Sequence, residues 1–115
     1  MPSSSPLGPL TDIRENINLA LTFIGQASFE QFLGDRRTVY AVTRCLEIIS
    51  EASRKLPPEL KARHPRVRWQ GMAGAGNVYR HEYERVLDKA VWDTVHGSLP
   101  PLLIVVEEEL RRLEG

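Results

Sequence analysis

Residues 77–83 read Asn-Val-Tyr-Arg-His-Glu-Tyr, and they follow a stretch with glycines at 71, 74 and 76. His81 can accept or release a proton near neutral pH, which suits it to general acid or base work. Asn77 stands four residues before His81 and Gly74 three before Asn77, so on a helix the three share one face. Such a face, small at one end and polar at the other, suits close approach of a phosphate or of another backbone. Simple helix-helix packing accounts for Gly71 and Gly74 equally well, and His81 can equally serve as a hydrogen-bonding residue at a helix end. Tyr83 falls just beyond the expected end of that helix, where its hydroxyl reaches solvent.

The approach to this segment is basic. Lys61, Arg63, Arg66 and Arg68, with His64 among them, lead straight into it and form a candidate patch for a nucleic-acid backbone, set against the ordinary reading of a solvated loop. The whole chain supplies no such field, because 15 Lys plus Arg balance 15 Asp plus Glu over 115 residues, so a nucleic-acid partner has to be held locally.

Other chemistries fail on context. The glycines resemble a phosphate loop, but no strand precedes them and no Lys-Ser or Lys-Thr follows. His81-Glu82 lacks the second histidine of a zinc-protease helix, and His64 and His96 read as isolated, so no metal or cofactor is implied. The single cysteine, Cys45, excludes an internal disulfide and lies in an apolar helical pattern, which makes it a buried inert thiol. Trp69, Trp92, Phe29 and Phe32 read as core residues rather than base-stacking platforms.

The elements that must position these groups are helical. Ile13, Ile17, Ala20, Leu21 and Ile24 give one apolar stripe from Asp12 onward, with Gly25 as its stop. Ser28 caps a short turn carrying Phe29 and Phe32. The strongest pattern runs over residues 36–56, with Val39, Val42, Leu46, Ile49 and Ala52 inward, and ends at Pro57 and Pro58. A connecting turn over 59–64 precedes a third helix opened by Val67 and Trp69. Asp88 is the expected N-cap of a fourth helix containing Val91, Trp92 and Val95. The Gly-Ser-Leu-Pro-Pro segment at 97–101 is expected to bend the chain before a last helix over 102–113. The composition, 42% apolar and 26% charged, is that of an ordinary globular domain, and no apolar run of about 18 residues or secretory leader appears. The expectation is a cytoplasmic all-α protein with a disordered tail over 1–9 and one helical bundle over 10–115, of roughly four to five helices.

The order of these segments resembles the HepT-like branch of the HEPN superfamily. The landmarks are the Phe-Leu-x-Asp turn at Phe32 to Asp35, the run from Leu46 to Ala52, Trp69, and the Asn-x-x-x-His-x-Tyr string at Asn77, His81 and Tyr83. The resemblance implies a HEPN-type bundle forming a two-fold homodimer with a shared cleft. It implies a metal-independent endoribonuclease acting on RNA, the toxin of a toxin-antitoxin pair whose antitoxin is a minimal nucleotidyltransferase. His81, with Asn77 beside it, falls at the catalytic position, and Tyr83 at the position that receives AMP as an inactivating mark. Arg63, Arg66 and Arg68 are then the candidate RNA contacts. The family string begins with arginine, and here Gly76 stands in that place. Arg80 lies four residues on, one turn of about 5.4 Å, and a long helical side chain leans back toward the N-terminus. It can therefore restore the missing cation over Gly76, or else pair with Glu84 as a surface ion pair. With the arginine absent, the alternative function is a catalytically silent HEPN dimer that acts as binding or scaffold partner of the nucleotidyltransferase.

Overall fold

The computed structural model describes residues 5–70 and 84–115, and these are helical with no strand among them. Helix α1, Leu7–Ile24, buries Leu10, Ile13, Ile17, Ala20 and Ile24, the three-and-four spacing that puts apolar side chains on one face. It starts five residues before Asp12 and takes in Leu7, Gly8 and Pro9, which their composition assigned to the tail. Pro9 is tolerated there because N–H groups of a helix's first turn have no intrahelical partner to lose. Gly25 ends α1 with φ of 55° and its N–H on the Leu21 carbonyl at 2.9 Å, a left-handed conformation that L side chains resist.

Helix α2, Phe29–Gly34, opens on a reciprocal cap: Ser28 Oγ accepts from the Gln31 N–H at 3.1 Å, and Gln31 Oε1 accepts from the Ser28 N–H at 2.8 Å. Two orphan donors are thereby satisfied. Asp35 then caps α3, Arg36–Arg54, accepting from both the backbone and the hydroxyl of Thr38, and these hydrogen bonds pull its carboxyl below the usual range. Val39, Val42, Leu46, Ile49 and Ala52 are all buried. Cys45 is buried with them, and desolvation raises its thiol pKa, as expected for an inert thiol. The helix stops at Arg54, ahead of Pro57, because residues before proline are driven out of the helical region.

Helix α4, Pro58–Ala62, occupies much of the expected connecting turn and buries Leu60. After the segment 63–70, the description resumes with α5, Glu84–Asp93. Asp88 does not cap a helix: it lies inside α5, only 2% exposed, with Oδ2 accepting from Arg36 Nη1 at 2.7 Å. A buried carboxylate needs a cationic partner, and here that partner comes from the start of α3.

The expected bend is also replaced. A π-helical turn, Thr94–Ser98, carries the path of α5 into α6, Leu99–Glu114. Pro100 and Pro101 fall in the first turn of α6, where missing N–H groups cost little. Their rings would crowd carbonyls one turn back in a regular helix, and the wider π turn relieves that crowding. Helix α1 packs between α3 and α6, and their inward stripes form the core. Phe29 and Phe32 each stand 5.5 Å from Trp92, closing the bundle beside α5.

Candidate functional site

Asn77, Arg80, His81 and Tyr83 lie outside the described residues. What the structure describes is the approach to them, residues 63–70, and how it is fixed to the bundle.

Two anchors hold this approach. The Trp69 indole Nε1–H lies 3.1 Å from both the Lys61 and the His64 carbonyl oxygens. It thereby ties the start of the next helical turn to the end of α4, satisfying carbonyls that a helix C-terminus leaves open. The second anchor is Glu109 of α6, 1% exposed. Arg63 grips it with both arms of its fork, Nη2 to Oε1 at 2.7 Å and Nε to Oε2 at 3.1 Å. His64 Nε2 sits 2.6 Å from Oε2, and because an ionised carboxylate only accepts, that nitrogen carries the hydrogen. The paired geometry is the strong form of a charge-assisted hydrogen bond. Its effect on Glu109 is large: the Arg63 hydrogen bond first, opposed by burial and aided by His64, lowers the carboxyl from 4.5 to about 2. Arg63 in turn is held further toward its charged form by Glu109.

His64 is therefore not isolated, as its sequence neighbourhood implies. With Glu108 and Glu109 it forms a cluster whose ligand atoms lie within 4.8 Å of one another. Both Glu109 oxygens already receive hydrogen bonds from Arg63 and His64, so the cluster is satisfied as a latch between the approach segment and α6. The signal for it was present in sequence: Leu102, Val106, Glu109 and Leu110 share the inward spacing of α6, and a carboxylate on that stripe demands a buried partner. His96, by contrast, stays local, with Nδ1 2.9 Å from the Trp92 carbonyl oxygen and its ring 4.0 Å from the Trp92 ring.

The three arginines grouped by sequence thus divide. Arg63 is committed to Glu109, whereas Arg66 and Arg68 are exposed and make no ion pair or side-chain hydrogen bond among the described residues. Between them and the π turn with the start of α6 runs a groove of about 480 Å³ with an aliphatic lining. Two cations with no partner among the described residues, beside a latched, apolar-floored groove, can hold phosphates. No helix among the described residues is long and apolar enough to cross a membrane.

A family model described as ribonuclease HepT-like matches residues 13–109. A protein of Methanocaldococcus jannaschii assigned as an RNase is 34% identical over 115 residues, covering 100% of this chain and 95% of the relative. A protein of Thermococcus cleftensis assigned as a ribonuclease HepT is 41% identical over 93 residues, covering 81% of this chain and 84% of the relative. An assigned RNase of Caldanaerobacter subterraneus is 32% identical over 108 residues, covering 94% and 96%. No solved structure matches the chain at a comparable level of significance.

Proposed function

Because this chain belongs to the ribonuclease HepT-like family, we propose that it is a cytoplasmic, metal-independent endoribonuclease, the toxin of a pair with a minimal nucleotidyltransferase antitoxin. The observation that carries this reading is the string Asn77, Arg80, His81, Tyr83, in a chain of that family, directly after an approach in which Arg66 and Arg68 have no partner among the described residues. In the reaction, a base removes the proton of a ribose 2'-hydroxyl, and that oxygen attacks the adjacent phosphorus. The bond to the 5'-oxygen breaks, an acid protonates the leaving oxygen, and a 2',3'-cyclic phosphate remains. His81 and the partner's His81, facing each other across a two-fold cleft, supply base and acid. Arg80, reaching back over Gly76, supplies the positive charge that the family arginine provides elsewhere, and Asn77 lines the same face.

AMP on Tyr83 is the inactivating mark in this scheme. It adds negative charge and a bulky base at the mouth of the cleft, repelling and obstructing RNA. Incubation with the cognate nucleotidyltransferase and ATP is expected to add the mass of AMP to the wild type and not to Tyr83→Phe. Equal modification of Tyr83→Phe moves the acceptor elsewhere, Tyr79 first. In the same preparation, light scattering is expected to give about twice the chain mass, as an isologous dimer requires.

A second reading rests on Gly76 alone. Without the family arginine the dimer is catalytically silent and serves as a binding partner of the nucleotidyltransferase. Growth arrest separates the two: expression of the protein alone arrests cells if it is a toxin, with relief on co-expression of the partner, and leaves growth unchanged if it is a scaffold.

A further inference from the structure

The groove beside Arg66 and Arg68 has a composition that a backbone-binding patch does not need. Its walls include Pro101, Ile104 and Val105 of α6, and Gly97 of the π turn. Ile104 is 68% exposed, a large aliphatic side chain kept in water at the groove's rim. Gly97 has no positive φ to explain it, and a Cβ built there meets no atom within 4 Å. The glycine is therefore not demanded by packing among the described residues, and it leaves open space where the wider helical turn borders the groove. Among the described residues no acidic side chain lines the groove, and the cations there are Arg66 and Arg68, neither with a described partner.

We propose that this groove receives one unpaired base of a single-stranded RNA, with Arg66 and Arg68 on the phosphates that flank it. The proposal rests on the ribonuclease reading above and names the form of RNA that the site takes. An aliphatic floor between two cations complements a nucleotide, whose flat base is apolar on its faces and whose phosphates are anionic. About 480 Å³ lies within the roughly 300–1,000 Å³ of small-molecule sites and accommodates a base with its sugar. A duplex offers the groove nothing apolar, since A-form RNA turns its base faces inward and presents phosphates and 2'-hydroxyls. With Ser98 the only uncharged polar side chain among the described lining residues, the groove holds a base by contact and reads little of its identity, as sequence-tolerant single-strand sites do.

The test is binding of a fluorescent ten-nucleotide 2'-O-methyl oligoribonucleotide, which lacks the attacking hydroxyl, alone and annealed to its complement. Gly97→Leu fills the open space with a better helix former, so its melting temperature is expected to be unchanged or higher. Its affinity for the single strand is expected to fall tenfold or more, with weak duplex binding unaltered. Arg66→Gln with Arg68→Gln, both on the surface, is expected to reduce the slope of log affinity against log salt by about 1.4, the loss of two single-strand phosphate contacts. If Gly97→Leu and the double variant bind the single strand as the wild type does while the wild type cleaves RNA, the groove assignment is wrong and the ribonuclease reading stands. If the wild type neither binds nor cleaves RNA, the ribonuclease reading itself fails and the groove assignment with it. If Gly97→Leu instead halves the particle mass, or removes only nucleotidyltransferase binding, the groove is a protein interface and the proposal is overturned.

Discussion

Arg80→Ala is expected to lower RNA cleavage by roughly a hundredfold or more with folding intact, the scale of losing one donor to a transition-state charge. His81→Ala is expected to cost roughly 10²- to 10⁴-fold, the range for a positioned acid or base. The comparison between the two is the informative part. The string implied by the resemblance begins with an arginine before the asparagine, but here Gly76 occupies that place, and the developing negative charge still needs a cation. If Arg80 supplies it, both substitutions silence the enzyme. If Arg80 only pairs with Glu84 on the surface, worth a few tenths of a kcal/mol, Arg80→Ala cleaves as the wild type does and only His81→Ala fails. That outcome rules out the relocated cation while leaving His81 in its role. Single-turnover cleavage of a defined RNA by each purified variant, with circular dichroism as the folding control, makes the distinction.

The second large effect is on stability. Glu109→Gln at pH 7 is expected to lower folding stability by on the order of 3 kcal/mol, the free energy linked to a carboxyl moved from its ordinary 4.5 to about 2. Glu109 is almost wholly buried, but its Arg63 partner is 39% exposed, so water screens part of the interaction and this figure is an upper bound. Its native-state value is depressed, so above pH 4.5 the carboxylate is ionised in both states and the full contribution is present. As pH falls from 4.5 toward 2, the unfolded chain takes up the proton first and the contribution drains away. Urea unfolding across that range is therefore expected to show wild type and Glu109→Gln converging on acidification, because only the wild type has this charge to lose. Parallel curves would mean that the latch contributes through packing rather than charge. Loosening it also frees the segment carrying Arg66 and Arg68, so the variant is expected to bind RNA more weakly than its surface charge alone implies.

The contrast between α3 and the two buried acids explains what was legible in sequence. Val39, Val42, Leu46, Ile49 and Ala52 announce a buried face because helix periodicity is a local property of the chain, and the caps at Ser28 and Asp35 are read from neighbours three residues away. Asp88 reads as a helix cap in sequence, and neither its partner nor that of Glu109 is visible there, because the partners are remote: Arg36 lies 52 residues from Asp88, and Arg63 lies 46 from Glu109. Local spacing carries no record of such pairs. The division of the arginines follows from this, since only the fold shows that Arg63 serves α6 while Arg66 and Arg68 remain available. The π turn was hidden for a different reason. Gly97, Pro100 and Pro101 signal a break, yet a slightly wider helical turn satisfies the same constraints without one. Asn77, Arg80, His81 and Tyr83 rest on the sequence string and on family membership.

The most direct measurement is cleavage of a single-stranded RNA by the purified wild-type protein in excess EDTA, with the product ends identified by mass spectrometry. Fragments ending in a 2',3'-cyclic phosphate, formed at an undiminished rate in EDTA, are the expected result. An intact RNA at protein concentrations that bind it, or cleavage that stops on chelation, would contradict a metal-independent ribonuclease built on His81.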